Sequence, residues 1–260
     1  MMSTTPAASE RAFVAVSALV FGVSTAITII LGTSMSGGMQ MPGGWTMSMA
    51  WMQMPGQSWA AMSASFVAMW VVMMVAMMMP SLFPMLWRYR EAVPRSGNTR
   101  LGGLTARVGI AYFVVWAVCG IAICPLGFGL ASIVMQQAVV ARGVPIAIGA
   151  VVVIAGLVQF TAWKARHLAC CREAPERALP ADASTAWRYG VRLGIECCQC
   201  CAGLMAILLV AGVMDLAAMA VVATAIAVER VGPAGERVAR AIGVFVIATG
   251  MFLIARAGIG

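Results

Sequence analysis

Residues 60–79 read AAMSASFVAMWVVMMVAMMM, 20 positions with no charged side chain. At about 1.5 Å of rise per residue a helix of this length crosses the roughly 30 Å hydrocarbon core of a bilayer. A water-exposed helix needs a polar face, and two serines do not make one. Working outward, comparable runs lie near Ala12 to Leu31, Arg107 to Val134, Val144 to Ala162, Cys200 to Val228 and Val238 to Ala255. Together the six predict an all-α, polytopic membrane helix bundle, a single integral membrane domain over residues 1–260. The first run exceeds the usual signal-peptide core of about 7–15 residues, so it reads as a membrane helix. The runs from Arg107 and from Cys200 are overlong, which predicts tilt or a break, with Pro125 as a kink point.

Composition supports the same class. The chain is 62% apolar and 10% charged, with 22 methionines, whereas soluble domains hold about 45–50% and about 25%. The net charge of +8 does not indicate a nucleic-acid partner, because the arginines that make it flank the apolar runs. The lipid bilayer is the first partner.

Arginine placement gives an orientation. The stretch 32–59 carries no charge, and Met135 to Pro145 carries only Arg142; both read as outside. Arg88, Arg90, Arg95, Arg100 and Arg107 lie between the second and third runs. Lys164, Arg166, Arg172, Arg177, Arg188 and Arg192 lie between the fourth and fifth. Both of these loops read as cytoplasmic. Six spans then put both termini in the cytoplasm and force the turn from Arg230 to Arg240 outside, against its three arginines.

The chemistry of the sequence is sulfur. Of the eight cysteines, Cys170, Cys171, Cys197, Cys198, Cys200 and Cys201 lie in the cysteine- and arginine-rich loop 163–199 or at its junction with the fifth run. A reducing compartment keeps them as thiols, so metal or redox chemistry is expected rather than a disulfide framework. In Glu196-Cys197-Cys198-Gln199-Cys200-Cys201, helical spacing makes Cys197 and Cys201 i, i+4 neighbours and Cys197/Cys200 and Cys198/Cys201 i, i+3 neighbours. Thiolates so placed suit a soft ion, Cu(I) first, with Hg(II) or Zn(II) as alternatives. His167, the only histidine, stands i, i+4 from Cys171 and is a candidate ligand with it and Cys170. Cys119 and Cys124, five apart inside the third run, read as packing residues.

Methionine repeats the theme. The uncharged outer loop holds Met35, Met39, Met41, Met47, Met49, Met52 and Met54, and thioethers bind Cu(I) but hardly bind zinc or hard ions. The competing reading is an apolar segment on the membrane surface, anchored by Trp45, Trp51 and Trp59. Met62, Met69, Met73 and Met77 fall within an arc of roughly 80° on one helix. Cys197, Cys201, Met205, Asp215 and Met219 make a similar stripe on the fifth run, where a buried acid implies a partner or a pore. A soft-ligand track between the two stripes, with Met73 opposite Met205 and Met62 opposite Met219, is the expectation; packing is the alternative.

These residues resemble a bacterial family of predicted metal-binding integral membrane proteins, over roughly Phe66 to Pro233. The carrying motifs are Trp70, Met73, Ala76, Met77, Met78 and Pro80; Lys164, His167, Leu168, Cys171, Arg172 and Pro175; Cys197, Cys200, Cys201, Leu204 and Met205; Gly212, Val213, Met214 and Asp215; and Glu229 with Arg230. The family pattern has Cys where His167 stands, Asn where Asp215 stands and Lys where Arg230 stands. The resemblance implies metal binding in a multi-pass protein of the bacterial cytoplasmic membrane and imports no activity.

No Walker motif, Ser/His/Asp set or catalytic zinc pattern is present, which removes an ATP-driven pump and gives no sign of an enzyme. The leading expectation is binding or transport of Cu(I), captured outside by thioethers and passed to thiolates at the cytoplasmic face. Mercuric ion uptake, a membrane thiol oxidoreductase, and a copper-delivery assembly factor serving an oxidase or a metallochaperone are the alternatives.

Overall fold

Four side chains set where the helices begin. Ser58, Thr161, Asp182 and Asp215 each accept a hydrogen bond from the backbone N–H three residues on, the N-cap arrangement that satisfies an orphan donor of the first turn. The computed structural model describes residues 6–35, 37–52, 56–93, 101–173 and 180–259. Met54, Arg95, Arg100, Pro175 and Arg177 lie outside them.

The order is α1 (Pro6–Ser34), a hairpin of β1 (Gly38–Met41) and β2 (Trp45–Ser48), α2 (Trp59–Ala92), α3 (Leu101–Gln136), α4 (Ala138–Val158), α5 (Ala162–Cys170), α6 (Ala183–Ala211), α7 (Leu216–Val231) and α8 (Gly235–Ile259). Six of the helices are long and apolar enough to cross a membrane, so the expected all-α bundle with six long apolar helices holds. α2 and α6 form its interior: 56% and 44% of their most apolar windows are buried, against 17% in α1 and α8. The core is correspondingly rich in methionine, with Met62, Met69, Met73, Met74, Met77, Met78 and Met85 of α2 all buried. α4 and α8 pack antiparallel through glycines. A Cβ on Gly156 would stand 3.0 Å from the Gly243 carbonyl oxygen, and one on Gly149 3.1 Å from that of Gly250, so only glycine admits this approach.

Three boundaries differ from the sequence reading. α3 runs unbroken through Pro125, and only Gln137 separates it from α4, so the expected outer loop at Met135 to Pro145 is almost wholly helical. The run from Cys200 to Val228 does hold the break that its excess length predicts, at a place the sequence reading did not give. α6 starts at Ala183 and stops at Gly212, whose φ of 131° few other residues adopt, and Asp215 then caps α7. α7 has 16 residues, about 24 Å at the usual rise. Asp215 is therefore exposed at a helix start and not buried in a mid-membrane stripe.

The third difference is topological. α7 runs from beside Gly32 at the hairpin end of α1, where a Cβ would press on Leu216, to the arginine-rich end. There Arg172 Nη1 donates to the Glu229 carbonyl at 3.0 Å, Arg172 Nη2 to that of Pro233 at 3.4 Å, and Arg88 to that of Arg172 at 2.8 Å. The turn expected outside thus joins the two arginine-rich loops. α8 then returns toward the hairpin, whose Trp45 bonds the Ala141 carbonyl at the start of α4. Ser9 accepts from Arg90 at the other end. α1 thus starts near Arg90 at the arginine-rich end, and α8 leads back toward the hairpin.

A candidate soft-metal centre between α2, α6 and α7

α6 presents Cys197 and Cys201 on the face buried against α2 and α7, one turn apart as the spacing predicts, with sulfurs 3.8 Å apart. Met78 Sδ of α2 lies 4.0 Å from Cys197 Sγ. With metal–sulfur bonds of about 2.3 Å, two sulfurs on one ion stand roughly 3.8 Å apart at a tetrahedral angle and roughly 4.0 Å apart at a trigonal one. Cys197 Sγ therefore stands at metal-ligand spacing from Cys201 Sγ on one side and from Met78 Sδ on the other. Cys200 is near Cys201 on one side and Cys171, just past α5, on the other. Among the described residues no three His, Cys, Asp or Glu side chains close around a point. The sulfurs instead run end to end: Cys171, Cys200, Cys201, Cys197, Met78.

Polar groups hold this string from both sides. Tyr112 of α3 donates its hydroxyl to Cys197 Sγ at 2.9 Å, and Arg230 Nη1 of α7 donates to the same sulfur at 3.0 Å and to Ser81 Oγ at 3.0 Å. At the arginine-rich side Lys164 Nζ bonds the Cys200 carbonyl at 2.8 Å and Glu229 Oε2 at 2.7 Å, while Gln159 Nε2 donates to Glu229 Oε1 at 3.0 Å. Burial alone would lower the Lys164 pKa, but the Cys200 sulfur and the Glu229 carboxylate outweigh it and hold the ammonium above its ordinary value. The neighbouring Cys200, with burial second, pushes the Cys171 thiol well up.

The structure divides the expected ligands. Cys197, Cys200, Cys201 and Cys171 come together and are buried. Cys198, 100° round the helix from Cys197, faces α3, where its sulfur lies 3.5 Å from that of Cys119. α5 turns Lys164 and Leu168 inward, which leaves His167 and Cys170 half-exposed on a shallow surface site with Arg192 and Glu196; His167 packs edge-on against Trp163 at 4.8 Å. Met73, Met77 and Met205 are buried in the same core as the thiols. Asp215 lies at the far, hairpin end. Sequence reasoning missed Met78 as the thioether nearest the thiols, and it missed Tyr112 and Arg230. The Glu229–Arg230 pair of the resemblance was the one available signal for the last.

Met39, Met41 and Met47 of the outer stretch lie in the hairpin. Met39 pairs with Met47 and Met41 with Trp45, which puts all four on one face of the hairpin, and Met41 and Met47 pack on Ala131 and Ala141 at the α3 and α4 ends. Met39 remains exposed.

No curated protein and no solved structure matches the chain. A family model described as PpoB2, copper chaperone, matches residues 67–253. That region runs from α2 into α8 and contains every residue of the sulfur string, and by it the chain belongs to the PpoB2 family of copper chaperones.

Proposed function

We propose that this protein is a non-catalytic membrane carrier of Cu(I), which takes the ion from thioethers at the hairpin end and passes it along α2 to the thiols near the arginine-rich end. The observation that carries this reading is the buried run of sulfurs ending in Cys197, Cys201 and Met78. Neighbouring soft ligands let an ion move by exchanging one sulfur at a time, and thiolates downstream of thioethers make affinity rise along the path. The methionine face of the hairpin, with Met39 exposed, is the proposed entrance, and it lies before the region the family match covers. Positive residues collected at the thiol end fit a cytoplasmic location for it, in a bacterial inner membrane. A metallochaperone or a copper oxidase is the proposed recipient.

The test is Cu(I) content of the detergent-purified full chain, set by competition with a chromophoric chelator. One tightly held Cu(I) per chain is expected, and Cys197→Ser with Cys201→Ser should abolish it. Unchanged copper content in that double variant removes the site. Measured thiol–disulfide exchange with turnover, in place of stoichiometric binding, would favour an oxidoreductase instead.

A further inference from the structure

The thiols share their chamber with a cation that has no carboxylate partner among the described residues. Arg230 is 2% exposed, and among the described residues its Nε and Nη2 have no hydrogen-bond partner. It enters none of the ion pairs among those residues; the adjacent Glu229 is matched by Lys164. Its one bonded arm reaches Cys197 and a serine. A buried guanidinium is costly unless an anion offsets it, and the groups within reach that can become anionic are thiols.

We infer that Arg230 sets the charge of the loaded site at −1 and thereby selects a monovalent soft cation over divalent ones. This rests on the reading that Cys197 and Cys201 hold the cargo. Two thiolates and Cu(I) sum to −1, which Arg230 cancels. Two thiolates and Hg(II), Cd(II) or Zn(II) sum to zero and leave the guanidinium buried without a counter-charge. Met78 is neutral and changes neither sum. A third thiolate would restore the balance for a divalent ion, but the closest pair is Cys197 with Cys201, with Met78 beside Cys197, and Cys200 is shared between Cys201 and Cys171. Tyr112 and Arg230 both donate to Cys197 Sγ.

The experiment measures Cu(I) and Cd(II) affinities of the full chain in detergent by chelator competition, and reads their ratio, because a merely structural defect lowers both together. Arg230→Gln should cut the Cu(I):Cd(II) affinity ratio by about 100-fold, about 2.7 kcal/mol, and Arg230→Lys should keep it within about tenfold of wild type. Ser81→Asp supplies the missing carboxylate to Arg230 without removing the cation, and should lower the ratio in the same direction. It tests the idea if the Gln variant does not fold. A ratio within about threefold of wild type in whichever of Arg230→Gln and Ser81→Asp folds overturns the selection. Wild-type Cu(I) affinity no better than that of the Cys197→Ser, Cys201→Ser variant would instead overturn the copper site on which it rests.

Discussion

Lys164→Met tests whether the arginine-rich side of the thiol string is held by one buried ion pair. Lys164 is 2% exposed and Glu229 1%, and their charged atoms stand 2.7 Å apart. At an effective dielectric constant of about 20 the attraction at that distance is about 6 kcal/mol, and the desolvation of both groups offsets most of it. Removing the cation alone leaves a buried carboxylate with only Gln159 as partner, so the expected loss of stability is about 3–5 kcal/mol. Lys164→Met with Glu229→Met removes both charges and should lie within about 2 kcal/mol of wild type. The readout is reversible unfolding of the micelle-bound protein by circular dichroism, with all three variants in one cycle. A loss below about 1 kcal/mol in Lys164→Met, or strict additivity in the double variant, refutes the reasoning. The lysine's own contribution has a definite pH dependence. The Lys164 pKa is raised in the fold above its ordinary 10.5, so its contribution is intact below that pH and is lost as pH rises through the raised value.

Leucine at Met69, Met73 and Met205 keeps volume and removes the thioethers; copper uptake into proteoliposomes should slow while Cu(I) binding at the thiols stays intact, and a parental rate reduces the stripe to packing. Gly156→Leu forces a side chain against the Gly243 carbonyl and the Ile247 backbone and should cost about 3 kcal/mol or more in thermal unfolding, whereas Gly143→Leu, with open space at its Cβ, should not. Cysteine probes at Gly44 and Ala257 should be labelled from one side of the membrane, and probes at Arg95 and Glu236 from the other.

What the sequence made legible follows from how local each signal is. The uncharged run in α2 needs no tertiary knowledge, because any 20-residue apolar helix meets the bilayer in the same way. The i, i+4 spacing of Cys197 and Cys201 is likewise a property of one helix, and it survives folding. The break after Ala211 had a signal, Gly212 as a stop and Asp215 as a cap, but the apolar residues on both sides continue without interruption and the hydropathy reading ran across it. His167 and Cys198 stand apart from the buried thiols for the opposite reason. Their spacing to other ligands was right, yet which face of α5 and α6 meets a neighbour is decided by α2, α3 and α7, which no local pattern encodes. Arg230 was assigned to a surface turn because basic residues in this class of protein mostly report sidedness, and only the fold brings it 3.0 Å from a thiol.

The break also repairs the charge argument that the uninterrupted span had damaged. With one crossing from Cys200 to Val228, the turn from Arg230 to Arg240 had to sit opposite the other arginine loops. With α6 leading toward the hairpin and α7 leading back, the turn arrives beside Arg172 and Arg88, and Arg237 and Arg240 join them. Of the arginines in described residues, only Arg142 and Arg256 then remain toward the hairpin end. A polytopic chain collects its arginines on the cytoplasmic side, so in the proposed orientation the thiols face the compartment where Cu(I) and reduced cysteine are compatible, and the methionine hairpin the side where thiols oxidise and thioethers do not form disulfides. Ligand chemistry and charge therefore choose the same orientation from independent residues, and the labelling at Gly44 and Glu236 tests both at once.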